Sequence, residues 1–391
     1  MALCCAVLIA SEFMPVSLLS PIAHDLHLTE GQAGQAISIS GLFAVITSLS
    51  IARMAGRFDR RLILLGLTAL LAVSGAIVAF AMNFMVLMTG RALLGVAIGG
   101  FWSMSAATIM RLVPADAVPR GLAIIYGGNA LASTISAPLG SFLGGLIGWR
   151  GAFFLVVPLA IVAITWQALT LPALPGEDNP DAGKMLHLLK NQQVSMGMLA
   201  VMLLFMGQFA LFTYLRPFLE GVTGVGVTGL SAMLLVIGAA GLVGTSFVGE
   251  VLKTRLHTAL TFFPVSMALI AVALAAFGKS PWITAILLAI WGLVSTAAPV
   301  AWSTWLTRTL PNDAEAGGGL MVAIIQFAIT VGATAGGVVF DARGPIVEFM
   351  GSGFILAVAG VVAYAASHLH ARSGRVDVVD EESGAVTGSV M

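Results

Sequence analysis

Charge is the scarcest feature of this 391-residue sequence: 18 Lys plus Arg and 18 Asp plus Glu make up 9% of the chain, against 59% apolar residues. So little charge excludes the two or three water-soluble domains that the length alone would allow. The formal net charge is zero, which leaves no basic face for nucleic acid. Cysteine is nearly absent. Cys4 and Cys5 are neighbours, and adjacent residues on a helix neither pair readily nor build a metal site, so they read as packing residues. The six histidines fall mostly near the ends of apolar runs. His24 and His27 have only Asp25 and Glu30 nearby, a poor ligand set, and no metal is expected. No glycine-rich loop with a lysine marks an ATP site. An embedded enzyme and a primary pump are both poor readings, and no cofactor is expected.

Apolar length is what the chain has. Its mean hydropathy of +1.01 places most of it in lipid, and twelve helices of about 20 residues would take roughly 240 residues. Apolar stretches lie near 2–20, 33–52, 62–82, 85–110, 121–147 and 151–171, then near 194–216, 226–249, 257–277, 281–307, 317–340 and 345–367. The opening MALCCAVLIA has no basic lead, and the apolar run continues to Leu19 without a cleavage box, so no cleavable signal peptide is expected. Glycine, at 45 residues, exceeds the soluble norm of about 7% and suits close helix crossings.

With a cytoplasmic amino terminus, thirteen Lys or Arg fall in inside loops and four, Arg150, Arg216, Lys279 and Arg343, fall outside. This bias expects a multi-pass protein of the cell inner membrane with both termini cytoplasmic. An internal repeat supports the count. Arg111-Leu-Val-Pro114 with Asp116 recurs as Arg308-Thr-Leu-Pro311 with Asp313, and Gly95 recurs as Gly292, all displaced by 197 residues. The expected fold is therefore all-α and polytopic, with twelve transmembrane helices in two six-helix pseudo-repeats. The expected parts are an N-terminal bundle over 1–171, a cytoplasmic connector over 172–193, a C-terminal bundle over 194–368 and a disordered cytoplasmic tail over 369–391.

Several residues resist a purely structural reading. Glu12 sits mid-span, where a carboxylate costs several kcal/mol unless it is paired, protonated or facing water. It is a candidate for proton coupling or substrate contact, or for a structural hydrogen bond that pins Pro15. Arg91 is the one Lys or Arg in the interior of an expected span. It must snorkel, meet an anion, or take a buried interhelical role with Glu12 or a backbone carbonyl. Arg57, Asp59, Arg60 and Arg61 follow the second span as a candidate gating loop or a plain cytoplasmic anchor. In the fifth span, Gly127, Gly128, Pro138, Gly140, Gly144 and Gly145 suit a gate or close packing, with Tyr126 and Asn129 beside them. Trp102, Gln208, Tyr214, Trp302 and Gln326 are the other candidate cavity groups. Aromatic rings with amides and hydroxyls suit a flat, neutral, hydrogen-bonding solute, although each ring also fits an interface belt or ordinary packing.

These motifs resemble the major facilitator superfamily, in its twelve-span drug and proton antiporter group. The family's loop signature, Gly-x-Leu-Ala-Asp-Arg-x-Gly-Arg-Arg, lies over 52–61 and is matched by Arg57, Arg60 and Arg61. Ala52, Met54, Gly56 and Asp59 depart from it. Leu87, Arg91 and Gly95 match the fourth-span signature, whose arginine the family links to proton coupling. Pro138, Gly144 and Gly145 match the antiporter signature in part. Glu12-Phe-Met-Pro-Val-Ser-Leu-Leu19, Gly99-Gly-Phe-Trp-Ser-Met-Ser-Ala106 and Trp302-Ser-Thr-Trp305 are similar to the purine ribonucleoside efflux branch of that group. The resemblance implies a monomeric exporter in membrane lipid that exchanges purine ribonucleosides for protons. Sugar or multidrug efflux on the same scaffold is the alternative.

Overall fold

A computed structural model describes the backbone of residues 1–55, 58–114, 117–175, 185–311 and 313–387. Side chains are described except at 52–57, 106–107, 115–116, 119, 122–123, 126, 130, 176–184, 186, 312, 314–315 and 368–391. The described chain is helical almost throughout. The first half comprises α1 (Ala2–Asp25), α2 (Glu30–Ala55), α3 (Arg60–Ala79), α4 (Phe84–Leu112), α5 (Val118–Phe154) and α6 (Val156–Thr170). A 3-10 turn, Met185–Lys190, leads into the second half: α7 (Gln192–Thr213), α8 (Leu215–Phe218), a π turn at Leu219–Thr223, α9 (Val227–Phe277), α10 (Pro281–Thr309), α11 (Ala314–Arg343) and α12 (Pro345–Thr387). The backbone of α12 stays helical through part of the tail expected to be disordered, and the tail's side chains lie outside the described residues.

Polar side chains start several of these helices by satisfying amides that have no partner in the first turn. Asp59 accepts from the Arg61 amide at 2.8 Å, Asn83 from Val86 at 3.0 Å and Asn191 from Gln193 at 2.9 Å. Ahead of α2, Thr29 and Gln32 form a reciprocal capping box, each side chain accepting the other's backbone N–H at 3.0 Å.

Ten described segments are long and apolar enough to cross a membrane, where twelve separate ones were expected. The difference arises at two places. Gly127–Thr170 runs 44 residues and Val227–Phe277 runs 51, and at 1.5 Å per residue the longer would stretch roughly 75 Å, more than twice the hydrocarbon thickness. Each contains one residue outside helical geometry: Gly148 (φ 75°, ψ 162°) in α5 and Arg255 (φ −127°, ψ 34°) in α9. The loops expected near 148–150 and 250–256 are thus compressed into single-residue breaks. Gly148 alone tolerates the positive φ of the first.

Buried apolar side chains gather in two clusters. One is drawn from first-half helices with Tyr214 added, the other from the second half with Val16, Ile37 and Ala137 added. Large apolar residues such as Leu169, Phe247 and Phe354 point outward, as lipid contact requires. Within each half, glycine brings helix backbones together. A Cβ on Gly95 of α4 would strike the Ser40 carbonyl of α2, and one on Gly292 of α10 would strike the Ile237 carbonyl of α9. Both members of the second pair lie 197 residues after those of the first.

Gly95→Val is therefore expected to force α4 off α2, costing about 1–3 kcal/mol through overpacking. Gly66→Val in α3, where a Cβ meets nothing within 4 Å, is the control. Thermal unfolding of the detergent-purified proteins should show a lowered midpoint for the first and none for the second.

Candidate functional site

The site is built on two prolines in α1. Proline has no N–H, so Pro15 leaves the Ser11 carbonyl without its helical donor and Pro21 does the same to Ser17. In the hydrocarbon region such carbonyls must find donors elsewhere. Both are met by arginines. Arg91 Nη1 donates to the Ser11 carbonyl at 2.8 Å, and Arg216 Nη1 donates to the Ser17 carbonyl.

Arg91 is fully buried on α4. Besides Ser11 it donates from Nε to the Ala36 carbonyl at 2.8 Å, and from Nη2 to the Glu12 carbonyl at 3.3 Å and the Ser40 hydroxyl at 3.2 Å. Its planar fork thus joins α1, α2 and α4, and it faces the bundle interior instead of the headgroups. Three of its four hydrogen bonds go to main-chain carbonyls. Its link to Glu12 runs through the main chain.

That leaves the Glu12 carboxylate free to act elsewhere. It is 7% exposed, and its Oε1 accepts from Gln326 Nε2 on α11 at 3.3 Å. The contact joins the first half to the second. Gln326 is itself buried, and its Oε1 makes no hydrogen bond among the described residues. Beside Glu12, Phe13 stacks on Phe209 of α7 with centroids 5.9 Å apart. A carboxylate, an amide with a spare acceptor and an aromatic pair thus meet between the two halves.

The other expected groups divide. Trp302 is buried, its Nε1 has no partner among the described residues, and it lies edge-on to Trp305 at 5.4 Å. Gln208 is half-buried, and among the described residues its Oε1 also lacks a partner. Trp102 is half-buried, edge-on to Phe101 at 5.9 Å. Asn129 is half-buried on α5, and its backbone oxygen accepts from Ser133 at 2.8 Å. Tyr214 is engaged in packing: its hydroxyl donates to the Ala333 carbonyl at 2.7 Å and its ring stacks on Phe340 at 5.2 Å. The side chains of Tyr126 and Arg57 lie outside the described residues.

The candidate gating loop braces the first half internally. Asp59 Oδ1 accepts from the Leu174 amide at 2.9 Å as well as capping α3, and Arg61 Nη2 donates to the Ala168 carbonyl at 2.6 Å. Arg60 donates its backbone N–H to the Leu174 carbonyl at 2.9 Å. The sequence reading missed Arg216, which looks like an outer-loop charge but is 5% exposed. Its one signal is indirect: Pro21 announces a carbonyl in need of a donor.

A family model described as Major Facilitator Superfamily matches residues 1–317. A Pseudomonas aeruginosa protein named transcription regulatory protein OpdE is 54% identical over 377 residues, 95% of this chain and 94% of its own. The purine ribonucleoside efflux pump NepI of Salmonella paratyphi B is 44% identical over 363 residues, covering 93% and 91%. Among solved structures, a bacterial homologue of the human lysosomal transporter Spinster, inward-facing and unoccupied, aligns with a TM-score of 0.79 at 15% identity, over 94% of this chain and 95% of its own.

Proposed function

Because the chain belongs to the major facilitator superfamily, we propose that it is a proton-coupled exporter that exchanges cytoplasmic purine ribonucleosides, such as inosine, guanosine and adenosine, for external protons. It is a multi-pass membrane protein and a secondary active transporter, not an enzyme. The observation that carries the proposal is the contact of Glu12 with Gln326. It supports the reading because a titratable group shared between the two halves could be contested by substrate and proton as they part during alternating access. The NepI relative, at 44% identity over nearly the whole chain, supports the substrate class.

In this reading the α5–α6 segment and α9 each cross the membrane twice, reversing near Gly148 and Arg255, so the chain makes twelve crossings with both termini cytoplasmic in the inner membrane. The matched Gly95–Ser40 and Gly292–Ile237 contacts support two six-helix repeats. Asn129 and Gln326 are likewise 197 residues apart, which sets an amide at corresponding places in the two halves. Trp102, Trp302, Gln208 and Gln326 would offer ring faces and hydrogen-bonding groups to base and ribose. Arg91, held by α1 and α2, is not free to neutralise a phosphate there.

Proteoliposomes with an imposed proton gradient are expected to take up inosine, guanosine or adenosine, and to handle the monophosphates far more poorly. Equal transport of monophosphates, or sugar transport with none of any nucleoside, would sink the substrate assignment and favour the sugar or multidrug alternative. The name of the Pseudomonas relative favours a second reading, a role in gene expression. Altered transcription on deletion, with no flux of any solute in the same vesicles, would support that one.

A further inference from the structure

Among the described residues, the hydrogen bonds that join the two halves are unevenly placed. Beyond Glu12 and Gln326, Ser38 and Gln35 of α2 meet Thr330 and Thr334 of α11, and Ser141 of α5 meets Ser231 of α9. All of these lie toward the face that carries the α1–α2 turn. At that face two second-half side chains bind main-chain groups of the first half. Asp341, at the end of α11, accepts the Thr29 hydroxyl at 2.6 Å and the Gly31 amide at 3.0 Å, so that it caps α2 from the other half of the molecule. Arg216 reaches the Ser17 carbonyl that Pro21 leaves without a donor, while Glu220 pairs with it at 2.8 Å.

We propose that Asp341 and Arg216 are positioning residues that latch this face shut, and that their release from α1 and α2 sets how often it opens. The inference rests on the alternating-access reading above. An aspartate at a helix amino terminus gains both hydrogen bonds and the favourable end of the helix dipole. Gly31 permits the approach, since a Cβ there would come within 2.7 Å of the Asp341 carboxyl carbon and 2.6 Å of the Gly337 carbonyl oxygen. Opening exposes the α2 amides to water but leaves the Ser17 carbonyl in search of a donor, so the arginine tie adds resistance that a surface pair would not supply. Glu30 in the first turn of α2 and the buried Glu348 of α12, whose carboxyl makes no hydrogen bond among the described residues, are neighbouring acids.

Spin labels at Met82 and Lys279, exposed positions on this face in opposite halves, can test this in a C4A/C5A background by pulsed electron–electron distance measurement. The Asp341→Ala variant is expected to raise the long-distance population about fivefold, as loss of a helix cap implies. Arg216→Gln should act in the same direction. Thr29→Val and Pro21→Ala should produce smaller shifts of the same sign, the second because a restored amide competes with Arg216 for Ser17. They carry the test if a first variant fails to fold. An unchanged distance distribution in folded Asp341→Ala and Arg216→Gln, or in the two milder variants, would overturn the latch. Flux in the same proteoliposomes reports the transport reading separately, so either can fail while the other stands.

Discussion

Replacing Glu12 with glutamine is expected to lower substrate-driven proton movement by about a hundredfold or more, the scale set by removing a required proton-transfer group. Folding should survive. The new amide retains an oxygen to accept from Gln326, so the 3.3 Å contact between the halves has a neutral counterpart. A pH-sensitive dye trapped in proteoliposomes reads the proton flux, and labelled nucleoside reads the substrate. Normal coupled exchange by folded Glu12→Gln would remove Glu12 from proton coupling and leave it the role of a structural hydrogen-bonding group. Glu12→Ala separates the two functions further. It removes the contact as well as the charge, and it should lower protein abundance where glutamine does not.

The second large effect is expected at Arg91. Lysine preserves the charge but concentrates its donors on one nitrogen, which cannot span the Ala36, Ser11 and Glu12 carbonyls together with the Ser40 hydroxyl. With the Ser11 carbonyl left unsatisfied beside Pro15, Arg91→Lys should reduce transport by about tenfold or more, from hydrogen bonds to a charged group worth roughly 1.5–3 kcal/mol each. Membrane abundance should fall less than rate. Wild-type transport by Arg91→Lys would mean that the guanidinium fork has no part in holding α1 in its working geometry.

These expectations also mark what the sequence reveals. Spans were legible because each helix must hide its backbone from lipid and therefore announces itself as an apolar run. The breaks at Gly148 and Arg255 fall where loops were expected, near 148–150 and 250–256, but their compression was not legible, because one residue outside helical geometry carries each. Glu12 and Arg91 stand out as mid-span charges, yet their partners come from residues as distant in sequence as Gln326 and Ala36. The loop around Asp59 signalled a gate by pattern, whereas its side chains grip Leu174 and Ala168 of their own half. Tyr214 looked like a ring available to a ligand, but a hydroxyl bound to Ala333 and a ring against Phe340 are tertiary facts. Asp341 was hidden for the same reason. Helix caps are sought within a few residues, and this one comes from 310 residues away.

The grip of the first half on its own carboxyl-terminal end has a mechanical consequence. Asp59 fastens Leu174, and Arg111 donates to the Pro175 carbonyl at 2.8 Å. Leu174 and Pro175, near the start of the expected connector, are therefore bound to the first bundle. The arginine and aspartate at that seam make this stretch of chain a mechanical part of the first half.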